Sequence, residues 1–82
     1  MSTTEDHDLR RRVRAKLLGD GLPRTDPVRT WAGPGTGQRC VACDEPITTA
    51  QTEYELQFAT DSEGLRFHRA CQAVWEIERR DT

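Results

Sequence analysis

Hydrophobic positions recur along this chain in two rhythms, and the change of rhythm marks its elements. Leu9, Val13 and Leu17 fall at four-residue steps, the narrow apolar stripe of a helix, and Leu18 widens its end. Ser2 stands three residues before Glu5, a capping-box spacing, and Glu5, Asp6 and Asp8 suit the positive end of a helix. The pattern predicts a helix from about Glu5 to Leu18, stopped by Gly19 with Pro23 beyond it. Between 20 and 39 the rhythm is lost. Gly21, Pro23, Pro27, Gly33, Pro34, Gly35 and Gly37 predict loop, with Val28 to Ala32 as a short extended segment. Trp31, alone in that loop, is expected to pack over a thin core rather than to stand out as a contact residue.

A period of two appears next. Tyr54, Leu56 and Phe58 alternate with Glu53, Glu55 and Gln57, and Leu65 and Phe67 alternate with Arg66 and His68. These are two half-buried strands, with turn chemistry at Thr60-Asp61-Ser62-Glu63-Gly64 between them. From His68 the period lengthens to about 3.6. Ala70, Cys71, Val74, Trp75 and Ile77 take one side of a helix, and Arg69, Gln72, Glu76, Arg79 and Arg80 take the other. Glu76 and Arg80 form an i, i+4 pair in the favourable order. The expected fold class is α+β: N-terminal helix, Gly/Pro loop, ligand knuckle, β-hairpin and C-terminal helix.

Composition makes that fold precarious. The chain has 82 residues, 34% of them hydrophobic and 32% charged. A core of this size supplies roughly 3–5 kcal/mol at most, so a staple is expected.

Cys40-Val41-Ala42-Cys43 and His68-Arg69-Ala70-Cys71 supply it. A tetrahedral structural Zn²⁺ takes four thiolate or imidazole ligands. A C-x-x-C turn delivers two thiolates to one ion, and an H-x-x-C pair does the same from the first turn of a helix. Cys40, Cys43, His68 and Cys71 fill all four positions and leave none open, the mark of a structural metal rather than a catalytic one. Three cysteines cannot pair completely as disulfides, and no secretory signal precedes them, so a reducing cytoplasm is expected. Asp44, after the second cysteine, is expected in the left-handed conformation that such turns require, and Ile47 as the first core residue past the metal.

A C-x-x-C knuckle, a hairpin and a helix bearing the second pair resembles a treble-clef zinc finger over residues 40 to about 80. Cys40-x2-Cys43…Phe67-His68-x2-Cys71 also resembles the first zinc site of a LIM domain. No second C-x-x-C follows Cys71, and the helix continues through Trp75 to Arg80, so LIM partner specificity is not implied. The resemblance implies a zinc-binding module over 40–80; a basic helix and a Gly/Pro-rich loop over 1–39 precede it, and at 82 residues the whole is expected to form one compact domain.

Charge opens two functional readings. Residues 10–39 carry eight cations against two acids, a net of +6, whereas residues 40–65 carry six acids and no cation, a net of −6. Arg10, Arg11, Arg12, Arg14 and Lys16 could serve a nucleic-acid backbone, or they could be a solvated helix face, with the two halves of the chain attracting each other. The preferred expectation is a non-catalytic module whose partner is another protein, with DNA-binding regulation as the alternative. Oxidation of the zinc thiolates at Cys40, Cys43 and Cys71 would be a variant of the first reading. No membrane span is expected, and no small-molecule substrate is suggested. Gly33-Pro34-Gly35-Thr36-Gly37-Gln38-Arg39 imitates a phosphate-binding loop but lacks its Lys and Ser/Thr. Outside the ligand set His7 is the remaining histidine, expected exposed on its helix, and an HNH-type nuclease needs more than that.

Overall fold

The architecture comes from a computed structural model that describes residues 3–19, 21–59 and 61–81. Helix α1 (Thr3–Leu18) is followed by strands β1 (Arg29–Pro34), β2 (Thr52–Phe58) and β3 (Asp61–His68), then by helix α2 (Arg69–Asp81). The strands form one antiparallel sheet in the order β1-β2-β3. Helix α2 lies on β2 and β3, and α1 lies on α2.

The apolar stripe of α1 does what its spacing implies. Val13 and Leu17 are fully buried and Leu9 is half-buried. Leu18 does not extend the stripe. It lies about 100° around the helix from Leu17 and is 66% exposed. The helix starts at Thr3, and the proposed capping residue Ser2 lies outside the described residues. At the other end the Gly19 N–H donates to Ala15 O, and the N–H groups of Gly21 and Leu22 donate to Lys16 O. Leu22 then tucks under the helix end and is buried, while the Arg24 guanidinium donates to Leu17 O.

The short extended segment expected at 28–32 within the Gly/Pro loop is strand β1, paired with β2 as the third strand of the sheet. In β1, Trp31 stands opposite Glu55 and Gly33 opposite Glu53. Every β1 residue except Gly33 is exposed, so the strand carries no alternation of burial by which it could be recognised. Trp31 is 46% exposed; it is a surface residue and not a lid on the core.

The β2–β3 turn is also tighter than the turn-forming residues suggest. Phe58 pairs with Asp61, and Leu56 with Leu65, so β2 advances two residues while β3 advances four. Gly64, at φ 76°, stands within that irregular stretch of β3. Turn chemistry here serves a bulge.

Gly35 is held by the same segment that follows the knuckle. A Cβ there would collide with the carbonyl oxygens of Thr48 and Ile47, and its N–H donates to Gln51 O. The Gly37 N–H donates to Ile47 O. The Gly-rich run is therefore a backbone clasp.

On α2, Cys71, Trp75 and Glu78 are buried, at the i, i+4 and i+7 spacing of one face. Ala70 and Ile77, expected on that face, are exposed, Ile77 at 48%. Glu78 lies inside because Arg14 of α1 meets it, donating from Nε at 2.9 Å and Nη2 at 2.7 Å. Glu76 turns to Arg79 at 2.6 Å, leaving Arg80 at 4.0 Å. Glu53 is the other buried acid. It accepts from Thr36 Oγ1 at 2.9 Å and lies 3.3 Å from Arg66 Nε, whereas Tyr54 beside it is only half-buried.

Candidate metal centre

The first ligand pair is made by backbone alone. Arg39 and Pro46 form a β-bridge; the Cys40 N–H donates to Glu45 O and the Asp44 N–H to Cys40 O, both at 2.9 Å. Asp44 takes φ 67°, as the turn demands. This closes a knuckle that aims both sulfurs inward, and the Ala42 N–H donates to Cys40 Sγ at 3.4 Å. The Val41 N–H donates to Arg66 O, pinning the knuckle to β3 two residues before His68.

The second pair comes from a strand-to-helix junction. His68 is the last residue of β3, not the first of the helix, and Cys71 sits in the first turn of α2. The four donor atoms of Cys40, Cys43, His68 and Cys71 all lie within 4.8 Å of one another. His68 Nδ1 is 3.3 Å from Cys43 Sγ and 3.8 Å from Cys71 Sγ. Bond lengths of about 2.3 Å to sulfur and about 2.0 Å to nitrogen place tetrahedral donors about 3.5–3.8 Å apart. The cluster is of a size that could hold one metal ion.

The surroundings orient the ring and balance the charge. His68 Nε2–H donates to Pro46 O at 3.2 Å, which leaves Nδ1 to face the sulfurs. Lys16 Nζ donates to Val41 O at 2.7 Å and to both Asp44 oxygens at 3.0 Å, while Arg12 donates to Cys43 O at 3.0 Å. Two cations of α1 thus grip the knuckle. A Cys3His set around a dication carries one net negative charge, which Lys16 and Arg12 offset.

Protons and metal compete for this cage. Cys71 S–H donates to the Cys40 sulfur, which lowers the Cys40 thiol from 9.0 to about 4 against the opposing cost of burial. The same bond, with burial and the Cys40 charge, pushes Cys71 far up, and burial raises Cys43. The raised Cys43 and Cys71 thiols hold their protons more tightly than free thiols do, and a bound ion must compete with those protons. Because those thiols are raised, the proton-bearing form is favoured ever more as pH falls, so metal affinity must rise with pH. Competition against a chromophoric chelator is expected to show apparent affinity falling steadily as pH is lowered from about pH 8 to pH 5. A flat profile would contradict displacement of thiol protons by the ion.

No protein-family model matches the chain. Nor does any curated protein or solved structure match it significantly.

The remaining candidate residues fall elsewhere. Of the five helix cations, Arg12, Lys16 and Arg14 bond to the knuckle and α2, and Arg10 lies 4.0 Å from Glu78. His7 is exposed and stands outside the cluster. Sequence reasoning missed Arg12 and Lys16 as supports of the knuckle, although their i, i+4 spacing places them on one face of α1. It also missed Glu78, which nothing local to it announces. No helix among the described residues is long and apolar enough to cross a membrane.

Proposed function

We propose that this chain is a zinc-stapled, non-catalytic protein-interaction module of treble-clef type. The observation that carries it is the closed set of four donors, Cys40, Cys43, His68 and Cys71, delivered within 4.8 Å by a knuckle, a strand end and a helix turn. Three thiolates and one imidazole favour zinc among the available divalent ions and leave no coordination position for a substrate. The ion then serves the fold, and function falls to the surface that the fold presents. Knuckle, β2–β3 hairpin and α2 follow one another in treble-clef order, which supports that arrangement.

The surface argues for a protein partner over nucleic acid. Four of the five α1 cations are turned to internal contacts, whereas Trp31 and Val28 stand exposed at 46% and 60%. Exposed tryptophan on a rigid strand is the kind of anchor that protein interfaces use. Elemental analysis of chain purified without added metal is expected to give one zinc per molecule. Cobalt substitution is expected to give the visible bands of a tetrahedral thiolate site. An octahedral spectrum, or metal bound in variable amounts, would overturn the structural-zinc reading.

A further inference from the structure

Strand β1 is an edge of the sheet and contacts no element other than β2 among the described residues. The Gly35 N–H donates to Gln51 O at 2.9 Å, and the register sets 35 opposite 51. Antiparallel ladders alternate, so the backbone groups of Gly33, Trp31 and Arg29 face β2. Those of Thr30 and Ala32 face outward, two N–H and two C=O groups on an open edge. Pro34 has no N–H and ends the outward row of donors. Natural edges are blunted by inward charges, bulges or cover. Here Thr30, Trp31 and Ala32 form an uncharged, exposed run with Arg29 before it and Pro34 two residues after it.

We propose that β1 pairs antiparallel with the β1 strand of a second copy of this chain, about a two-fold axis at Trp31. The dimer rests on the reading of the chain as a protein-binding module and supplies its partner. The outward groups are self-complementary at this register. Thr30 exchanges N–H···O bonds with the partner's Ala32, and Ala32 does the same with the partner's Thr30, giving four bonds in all. Trp31 faces the partner's Trp31 across a non-hydrogen-bonded position, where Cα atoms approach to about 4.5 Å and side chains meet most closely.

Charge selects a second copy over a generic strand. Arg29, Trp31 and Gly33 share a face of the sheet with Gln57, Glu55 and Glu53, their partners on β2. At the two-fold register Arg29 lies opposite the partner's Gly33, beside which there is open space, with nothing within 4 Å of a Cβ position. The guanidinium can lie across that gap toward the partner's Glu55, whose side chain is 33% exposed beside Arg66, whereas Glu53 is buried against Thr36 and Arg66. Symmetry repeats the pairing on the other side, so each Arg29 meets one partner glutamate across the seam.

The seam is small, so association in the micromolar range is expected, and sedimentation velocity should span about 5 to about 500 µM of zinc-loaded full chain. The expected result is a concentration-dependent shift from monomer to dimer, weakened at least tenfold by Trp31→Lys. Trp31→Cys is expected to form a covalent dimer under mild oxidation, with zinc retained. Leu18→Cys, at a more accessible position but on α1, is expected to stay monomeric. A monomer at every concentration, a dimer unaffected by Trp31→Lys, or equal cross-linking of the two cysteine variants would overturn the proposal. Zinc content read on the same samples keeps the two readings apart. A zinc-loaded monomer overturns the dimer alone, whereas a dimer without zinc supports the seam and overturns the metal assignment.

Discussion

Cys71→Ser, or removal of the ion by a strong chelator, is expected to unfold the whole chain. The core is thin: outside the ligand cysteines, its fully buried side chains are chiefly Trp75, Phe67, Leu17, Ile47, Leu56 and Val13. A core of this size contributes roughly 3–5 kcal/mol, while zinc in a small Cys/His site contributes on the order of 10 kcal/mol at neutral pH. The second term exceeds the first, so its loss reverses the sign of folding. The effect should spread beyond the ligands, because Cys40 and Cys71 are themselves core residues. The knuckle they close also carries Ile47 and the backbone clasp on Gly35 and Gly37. Far-ultraviolet circular dichroism should collapse on chelation and return with one equivalent of zinc. Trp75 emission should shift to the red, read in a Trp31→Phe background because Trp31 is already half in water. Unchanged dichroism after demonstrated zinc loss would show that apolar packing holds the fold by itself.

Much of the metal cage was legible because short spacings encode geometry. Two residues between cysteines fix a knuckle, an Asp after the second fixes the left-handed turn, and three residues from His68 to Cys71 span a strand end and one helical turn. The hairpin and α2 were legible for a similar reason, since burial on one face imposes a period on Leu56, Phe58, Phe67, Cys71 and Trp75. What escaped depends on partners remote in sequence. Strand β1 reads in the sequence only as an extended segment at 28–32; with solvent on both faces its residues obey no alternation, and its place in the sheet lies in pairing with β2, 18 to 28 residues later. Glu78 is buried with Arg14, 64 residues away, bonded to it, and Ile77, two residues after Trp75, lies about 200° round the helix from that face and is exposed. The basic run in α1 reads locally as a solvated or nucleic-acid-binding face. Its contacts with Val41, Cys43 and Glu78 exist only once the chain has closed.

These long-range contacts tie the helices to the ligand cluster. Lys16 and Arg12 hold the knuckle's carbonyls from α1, and Arg14 joins α1 to α2 through Glu78. The two halves of opposite charge therefore meet, and the attraction is spent inside the fold. Ligand geometry and helix packing become one cooperative unit, so damage to either should register at the other.

Trp75→Ala tests that coupling at a residue that is not itself one of the four donors. The indole is fully buried, 5.8 Å from the ring of Phe58 and 5.6 Å from that of Phe67. Its N–H donates to Pro23 O at 2.9 Å, tying the loop after α1 to α2, and the Arg79 guanidinium lies 4.7 Å from its ring centre. Truncation should cost about 3–5 kcal/mol in cavity and lost packing, with Pro23 O left without its donor. Where folding is linked to metal binding, that cost is drawn from the apparent affinity for zinc. A loss of about 4 kcal/mol corresponds to roughly a thousandfold weaker apparent binding. Trp75→Phe keeps most of the packing and gives up the hydrogen bond, so it should weaken zinc by only about tenfold. Trp31→Ala, on the exposed strand, should leave the affinity of dilute chain unchanged. Chelator competition across the three variants should therefore rank them by burial rather than by aromatic content. Wild-type zinc affinity in Trp75→Ala would mean that the metal site folds independently of the core behind it.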